Sequence, residues 1–463
     1  MADIEESPEQ RKQRETDQEQ HKMDWSKGAI VLVAGAIYIA FCFLAHKWYR
    51  QELWDYSIDS FIPWMQSMPS WVLFFLQYFY WFSDEGIWVF LLLFYAYFNR
   101  AASIYLFTSI SLLGVVNELL KIYFMDGRPF YMVEGFSIQG YDCDNKDFGR
   151  PAGHLFSSST ILVIIFLQYF DPHDIRGSFE ILYRRSDGEF DDAGRQDQQH
   201  FKFRNNTFCI SFWVFALLGA IMIGWFAEVG TGANSWDQVI FGTSLGLGFI
   251  FTWYVLRDDL CIFFIRVTEQ CREGYEKFRA IVFLVVSIVV YLVAVLFSRW
   301  FSINRFNEFE NVSPLWVDEY ESMCGKLTHP SWFYLHLQNI YAYSFFFLGT
   351  VVGVVIDHFL LGGTIINYNK TSPVDGDGEN IPWKGMCRTI IAGVILYGFK
   401  FLWEHFFVGK MSNLFTHVWW YFFVPIILFT VVKYIYRALG LSKQYVTFDE
   451  LEVKWNQDNN TRS

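Results

Sequence analysis

The sequence predicts an all-helical, polytopic integral membrane protein with about ten transmembrane helices. Two observations lead there. Of 463 residues, 53% are hydrophobic and only 18% are charged, against about 25% charged in an average soluble chain. The apolar residues are also gathered into blocks, at 28–47, 84–99, 101–124, 154–170, 207–226, 237–256, 279–298, 338–361, 387–407 and 414–437. About 20 apolar residues cross the hydrocarbon core of a bilayer. Lipid offers no partner to a bare backbone, so each block must satisfy its own hydrogen bonds as a helix. One or two buried helices of a soluble protein would not give so many blocks. The blocks 84–99 and 154–170 are short or mixed, which leaves the count open by one either way.

Taken in order, residues 1–24 are dense in Glu, Asp, Gln, Lys and Arg without apolar periodicity and read as a disordered tail. They are too long and too acidic for a cleavable signal and too acidic for a mitochondrial presequence, so the first block is expected to act as the insertion signal. Residues 25–69 then supply one additional N-terminal helix and an interfacial segment. The run SWVLFFLQYFYWF (70–82) is an interfacial helix or part of the second span. Residues 70–278 form a central unit with an insert at 171–206, residues 279–440 add C-terminal helices, and 441–463 form a tail.

Loop charge sets the topology. The loop 171–206 carries Arg176, Arg184, Arg185, Arg195, Lys202 and Arg204, and 257–279 carries Arg257, Arg266, Arg272, Lys277 and Arg279. Such loops stay in the cytosol. Alternation then puts 125–153, 227–236, 299–337 and 408–413 on the exoplasmic side and both tails in the cytosol. Of seven cysteines, only Cys143 and Cys324 fall in exoplasmic segments, where an oxidising compartment permits a disulfide; two free thiols are the plainer alternative. The net charge of −12 and the lack of a basic stripe argue against a nucleic-acid partner.

Three stretches can carry chemistry. In KIYFMDGRPF, Lys121 and Arg128 are seven residues apart, almost two helical turns, and share a face for as long as the helix lasts. Two cations there can bind an anion or merely anchor the helix end by snorkelling. Asp126 beside Arg128 is placed to neutralise it in part, and Glu118 stands one turn below Lys121 as its expected partner. In DFGRPAGHLFSSST, Ala152 and Gly153 open a helix whose first N–H groups can face an anion. His154 on its first turn can give a proton to a leaving oxygen, although a lone His at a helix end is more often structural. The third stretch is GWFAEVGTGANSWDQVIFG (224–242).

Together, K-x6-R-P and P-[small]-G-H resemble the type-2 phosphatidic-acid phosphatase superfamily. Within it the segments NELLKIYFMDGRPFYMV, YDCDNKDFGRPAGH, QVIFG and HPSWFYLHLQNIYAYSFFFLGTVVGVV look most like glucose-6-phosphatase. The resemblance implies a six-helix phosphatase-like core and hydrolysis of phosphate monoesters through a phosphohistidine, with no metal and no cofactor. It also favours the endoplasmic reticulum, with the site facing the lumen; a mitochondrial or plasma membrane is not excluded.

The third stretch departs from the resembled pattern, which has a clamping Arg, a nucleophilic His six residues on, and an orienting residue beyond. Aligned on QVIFG, Glu228 replaces the Arg, Asn234 replaces the His, and Gln238 takes the orienting position. Aligned on Asp237 instead, Ala227 and Ala233 stand there. Both registers lose both groups, and Ala152 stands where Ser is usual. Asn and Ala cannot attack phosphorus. His329 and His336 in the next exoplasmic segment are the only nearby substitutes, with nothing in the sequence to place them. The expected protein is therefore catalytically inactive. Lys121, Arg128, Ala152, Gly153 and His154 remain as a half site for a phospholipid or phosphorylated small molecule, or the chain is a structural subunit among other membrane subunits. An active phosphate-monoester hydrolase is the alternative.

Overall fold

The computed structural model describes residues 25–79, 92, 100–133, 148–170, 207–255, 274–308, 316, 318, 321, 332–361, 382–407 and 413–441. Among these residues every regular element is a helix. Helix α1 (Trp25–Tyr56) passes through a wide π turn (Ser57–Phe61) into α2 (Ile62–Gln66), and α3 spans Ser70–Phe79. Then come α4 (Arg100–Phe124), the single turn α5 (Pro129–Met132), α6 (Gly153–Phe170), α7 (Thr207–Gly230) and α8 (Trp236–Val255). The C-terminal part holds α9 (Gly274–Glu308), α10 (Trp332–Leu361), α11 (Pro382–Phe407), α12 (Asn413–Ile427), a second π turn (Leu428–Val432) and α13 (Lys433–Ala438).

Six of these stretches are long and apolar enough to cross a membrane: Ala29–Gln66, Ser103–Phe124, Leu284–Arg305, His336–Asp357, Gly385–Phe407 and Val418–Tyr436. The molecule is a multi-pass integral membrane protein. Nine of the expected apolar blocks coincide with helices, while 84–99 lies outside the described residues except for Leu92. So do both tails apart from Leu441, the insert 171–206, Cys143, Cys324 and His329. The first helix runs well past the expected end at residue 47. Residues 47–56, KWYRQELWDY, are polar but contain no Gly or Pro, so the helix continues after its apolarity stops.

Lipid is as apolar as the side chains, so helices here associate through close packing and polar contacts rather than through the hydrophobic effect. Helix α10 packs against α4, α9 and α12. Its Gly349 and Gly353 let α12 come very near: a Cβ at 349 would lie 2.1 Å from the Phe422 carbonyl oxygen, and one at 353 would lie 3.0 Å from Ile426 Cα. Pro425 interrupts α12, and the π turn follows it; a proline removes one rung of the hydrogen-bond ladder, and such bulges absorb the change. Helix α1 packs on α8 in the same way, with Gly248 under the Tyr38 ring and Gly35 against Thr252. Several hydroxyls inside the spans bond locally: Thr108, Ser109 and Ser111 each donate to the carbonyl four residues back. Near the C-terminal end of α10, Lys433 Nζ lies 2.7 Å from both oxygens of the buried Asp357.

The other end of the bundle gathers the site. Arg305 donates to the Tyr123 carbonyl at 2.7 Å, Arg50 to Asp126 at 2.9 Å, Arg128 to the Ala233 carbonyl at 3.1 Å, and the Phe148 N–H to His336 at 3.3 Å. Described parts of three of the segments expected to share the exoplasmic side, 125–153, 227–236 and 299–337, thus meet there.

Candidate functional site

Helix α4 delivers the first stretch. It closes on Met125, whose φ of 48° is the left-handed cap conformation that ends many helices; the Met125 N–H donates to the Lys121 carbonyl at 2.9 Å. The chain then turns sharply, held by two cross-links. The Gly149 N–H donates to the Asp126 carbonyl at 2.9 Å, and Gln238 Nε2 donates to the Gly127 carbonyl at 2.8 Å. Arg128 follows in extended conformation before Pro129 opens α5. Its side chain is fully buried, with Nη1 on the Ala233 carbonyl. Lys121 is buried as well. A Cβ on Gly153 would sit 2.9 Å from Lys121 Nζ and 2.7 Å from Asn117 Nδ2, so glycine there is demanded by the close approach of α6 to the Lys121 end of α4.

The second stretch enters α6. Ala152 packs in an apolar cluster with Phe61, Ile62, Met65, Leu155 and Ala227. Its N–H donates to the Gln238 carbonyl at 3.3 Å. This corrects one expectation: the Ala152 N–H does not face an anion, because α8 crosses the start of α6 closely enough to take it. A Cβ at Gly242 would lie 3.0 Å from the Ala152 carbonyl oxygen, which shows how tight that crossing is. His154 stands half-buried on the first turn of α6.

The third stretch is the turn between α7 and α8. Asn234 Nδ2 donates to Glu228 Oε2, and the Asn234 N–H donates to the Glu228 carbonyl at 3.1 Å. Both residues are fully buried. Ala227 and Ala233 sit in the apolar cluster beside α2 instead. Neither candidate for the orienting position reaches the Asn234 side chain. Gln238 accepts from the Ser235 N–H at 3.2 Å and holds Gly127. Asp237 accepts from the Ser235 hydroxyl and from Arg150 Nη2, the latter at 2.6 Å.

Two polar groupings escape the sequence. The first centres on Arg150, buried between Asp237 at 2.6 Å and Asp126 at 2.6 Å. Arg50 of α1 closes on the other oxygen of Asp126 at 2.9 Å. His46 of α1 is buried with Nε2 3.5 Å from Asp237 and its ring 4.4 Å from that of Phe241. Asp126 therefore serves Arg150 and Arg50 and not its neighbour Arg128. Burial pushes the Asp126 carboxyl above its usual range, against the pull of Arg150 and Arg50. Burial likewise lowers the Arg150 guanidinium from its ordinary value, against Asp126 and Asp237. The second grouping joins Glu118 to His336, Oε2 to Nδ1, at 2.5 Å. The Glu118 carboxylate thus turns to His336 rather than to Lys121. His336 Nε2 accepts from the Phe148 N–H, and its ring stacks on Phe148 at 5.1 Å. An Nε2 that accepts leaves Nδ1 carrying the proton toward Glu118. Both nitrogens of this imidazole are thereby in use.

The geometry is that of a polar centre built where α4 and α7 end and α6 and α8 begin, and comparison with known families agrees. Residues 102–262, about a third of the chain, match the family model described as the PAP2 superfamily. The central part of this multi-pass membrane protein is phosphatase-like. Lys121, Arg128, Arg150, His154, Glu228 and Asn234 all fall inside the matched segment, whereas His46, Arg50 and His336 lie outside it. Searches of curated proteins and of solved structures gave no match.

Proposed function

We propose that this protein is a phosphatase-like membrane protein that has lost hydrolysis and serves as a non-catalytic, structural component of a membrane assembly. The observation that carries this is the Asn234–Glu228 pair. Phosphoryl transfer to protein needs a nucleophile with an available lone pair and cationic donors aimed at the developing charge. A carboxamide that donates its N–H to a buried carboxylate offers neither. That these two side chains meet each other, while Ala227 and Ala233 pack with apolar neighbours, supports the alignment on QVIFG. His336 is a poor replacement, since attack by Nε2 would first require release of the Phe148 N–H. The polar centre that remains is suited to holding α4, α6, α7 and α8 in register.

The test is phosphate release by the purified protein from phosphatidate and from glucose 6-phosphate. Background rates are expected, unchanged by His154→Ala. Robust release that His154→Ala abolishes would overturn the reading and make this an enzyme. The glucose-6-phosphatase-like motifs are our reason for placing it in the endoplasmic reticulum with the polar centre toward the lumen. Co-localisation of a tagged chain with a marker of another organelle would remove that placement.

A further inference from the structure

The buried charges of the polar end nearly balance, and the pairing points to a role for Glu228. Among the described residues the buried carboxylates are Glu118, Glu228, Asp237 and Asp357. Glu118 is hydrogen-bonded by His336 and Asn117, both neutral, so its charge still counts against a cation at this end. Asp237 is engaged by Arg150 and Ser235. Asp357 is at the far end on Lys433, and the partly buried Asp126 belongs to Arg150 and Arg50. The other buried charges at this end are two cations, Lys121 and Arg128, and one carboxylate, Glu228. Charges taken out of water persist only when they are compensated. Position agrees: Arg128 reaches the carbonyl of Ala233, and the next residue, Asn234, holds the Glu228 carboxylate.

We propose that the Glu228 carboxylate is the built-in anion of this site, standing between Lys121 and Arg128 where a phosphate group would otherwise lie. The inference rests on reading the site as phosphatase-derived and non-catalytic, and it deepens that reading. The half site then does not wait for a phosphorylated ligand. It is already neutralised by the chain itself, and it discriminates against phosphate monoesters by like-charge repulsion and by occupancy. Asn234 has a defined part in this, because its amide fixes the carboxylate in place by a charge-assisted hydrogen bond.

The experiment uses the full-length protein in detergent or nanodiscs, with inorganic phosphate and acetate as probes. Glu228→Ala vacates both the charge and the volume. In that variant thermal unfolding is expected at lower temperature, and either anion should raise it again. Calorimetric titration should show phosphate binding about tenfold or more tighter than in the unmodified protein. The unmodified protein should respond to neither anion beyond the ionic-strength effect of a chloride control. Equal phosphate binding by both forms would overturn the proposal. If Glu228→Ala does not accumulate, the double variant E228Q/R128Q serves: with both charges removed together it should accumulate better than E228Q alone, and no improvement would overturn the proposal equally. Phosphate release measured on the same preparations keeps the two readings apart. Turnover by the unmodified protein defeats the non-catalytic reading, whereas silent but tight phosphate binding by it defeats only the assignment of Glu228.

Discussion

Arg150 is the residue that ties the turn after α4 to the start of α8. Its guanidinium bridges Asp126 in the turn after α4 and Asp237 at the start of α8, and it is only 2% exposed. Removing one partner of a buried ion pair leaves the other uncompensated, at a cost of about 3–5 kcal/mol. Arg150→Met should therefore destabilise strongly, as measured by thermal unfolding in detergent. Arg150→Lys should recover little, because a point-like ammonium cannot span two carboxylates as a planar fork does. Arg150→Met combined with Asp237→Asn should lose less than the sum of the two single changes; strict additivity would show that the contact carries no coupling. The Arg50–Asp126 pair is different. Arg50 is 51% exposed, and exposed pairs contribute about 0–1 kcal/mol, so Arg50→Ala should scarcely move the transition.

At the scale of elements, two glycine contexts make opposite predictions. Gly349 lies on α10 where the α12 backbone touches it. Gly349→Val forces the helices apart and should cost at least the ~1–3 kcal/mol typical of overpacking, seen as loss of the monodisperse peak in size-exclusion chromatography. A methyl group added at Gly398 on α11 would meet nothing within 4 Å. Gly398→Ala should be neutral, or stabilising by up to about 1 kcal/mol through helix propensity; a large loss there would mean that another surface covers α11. The helices themselves were legible, because a block that must satisfy its backbone in lipid announces itself by apolarity alone. Their polar ends were not: α1 runs on through Lys47–Tyr56 without an apolar signal. The site was legible in part. Lys121, Arg128 and His154 sit in patterned motifs, while Arg150 inside GRPAGH looks like one more motif residue until Asp126 and Asp237 are brought to it. His46 is a lone histidine in an apolar helix, which usually means nothing. His336 could be named only as a residue for the fold to carry in, since its neighbours Glu118 and Phe148 are about 190 to 220 residues away in sequence and no local rule links them.

For the whole molecule, the charge of the loops predicts an orientation. Single cysteines introduced at Phe190 and Glu310 should label from opposite faces of sealed vesicles, with 310 on the side of the polar centre; labelling of both from one face would refute the topology. The placement of α1 has a further consequence, which concerns synthesis. This helix leaves the ribosome well before α8, carrying His46, yet the carboxylate that His46 packs beside, Asp237, is about 190 residues further along the chain. At ~5–20 residues per second that interval is on the order of 10–40 s. Throughout it His46 lacks the Asp237 and Phe241 side chains it packs beside in the finished fold. Docking of α1 on α8 is thus a late event that can occur only once the central unit has been made. A nascent chain stopped before α8 would display His46 and be recognisable as unfinished.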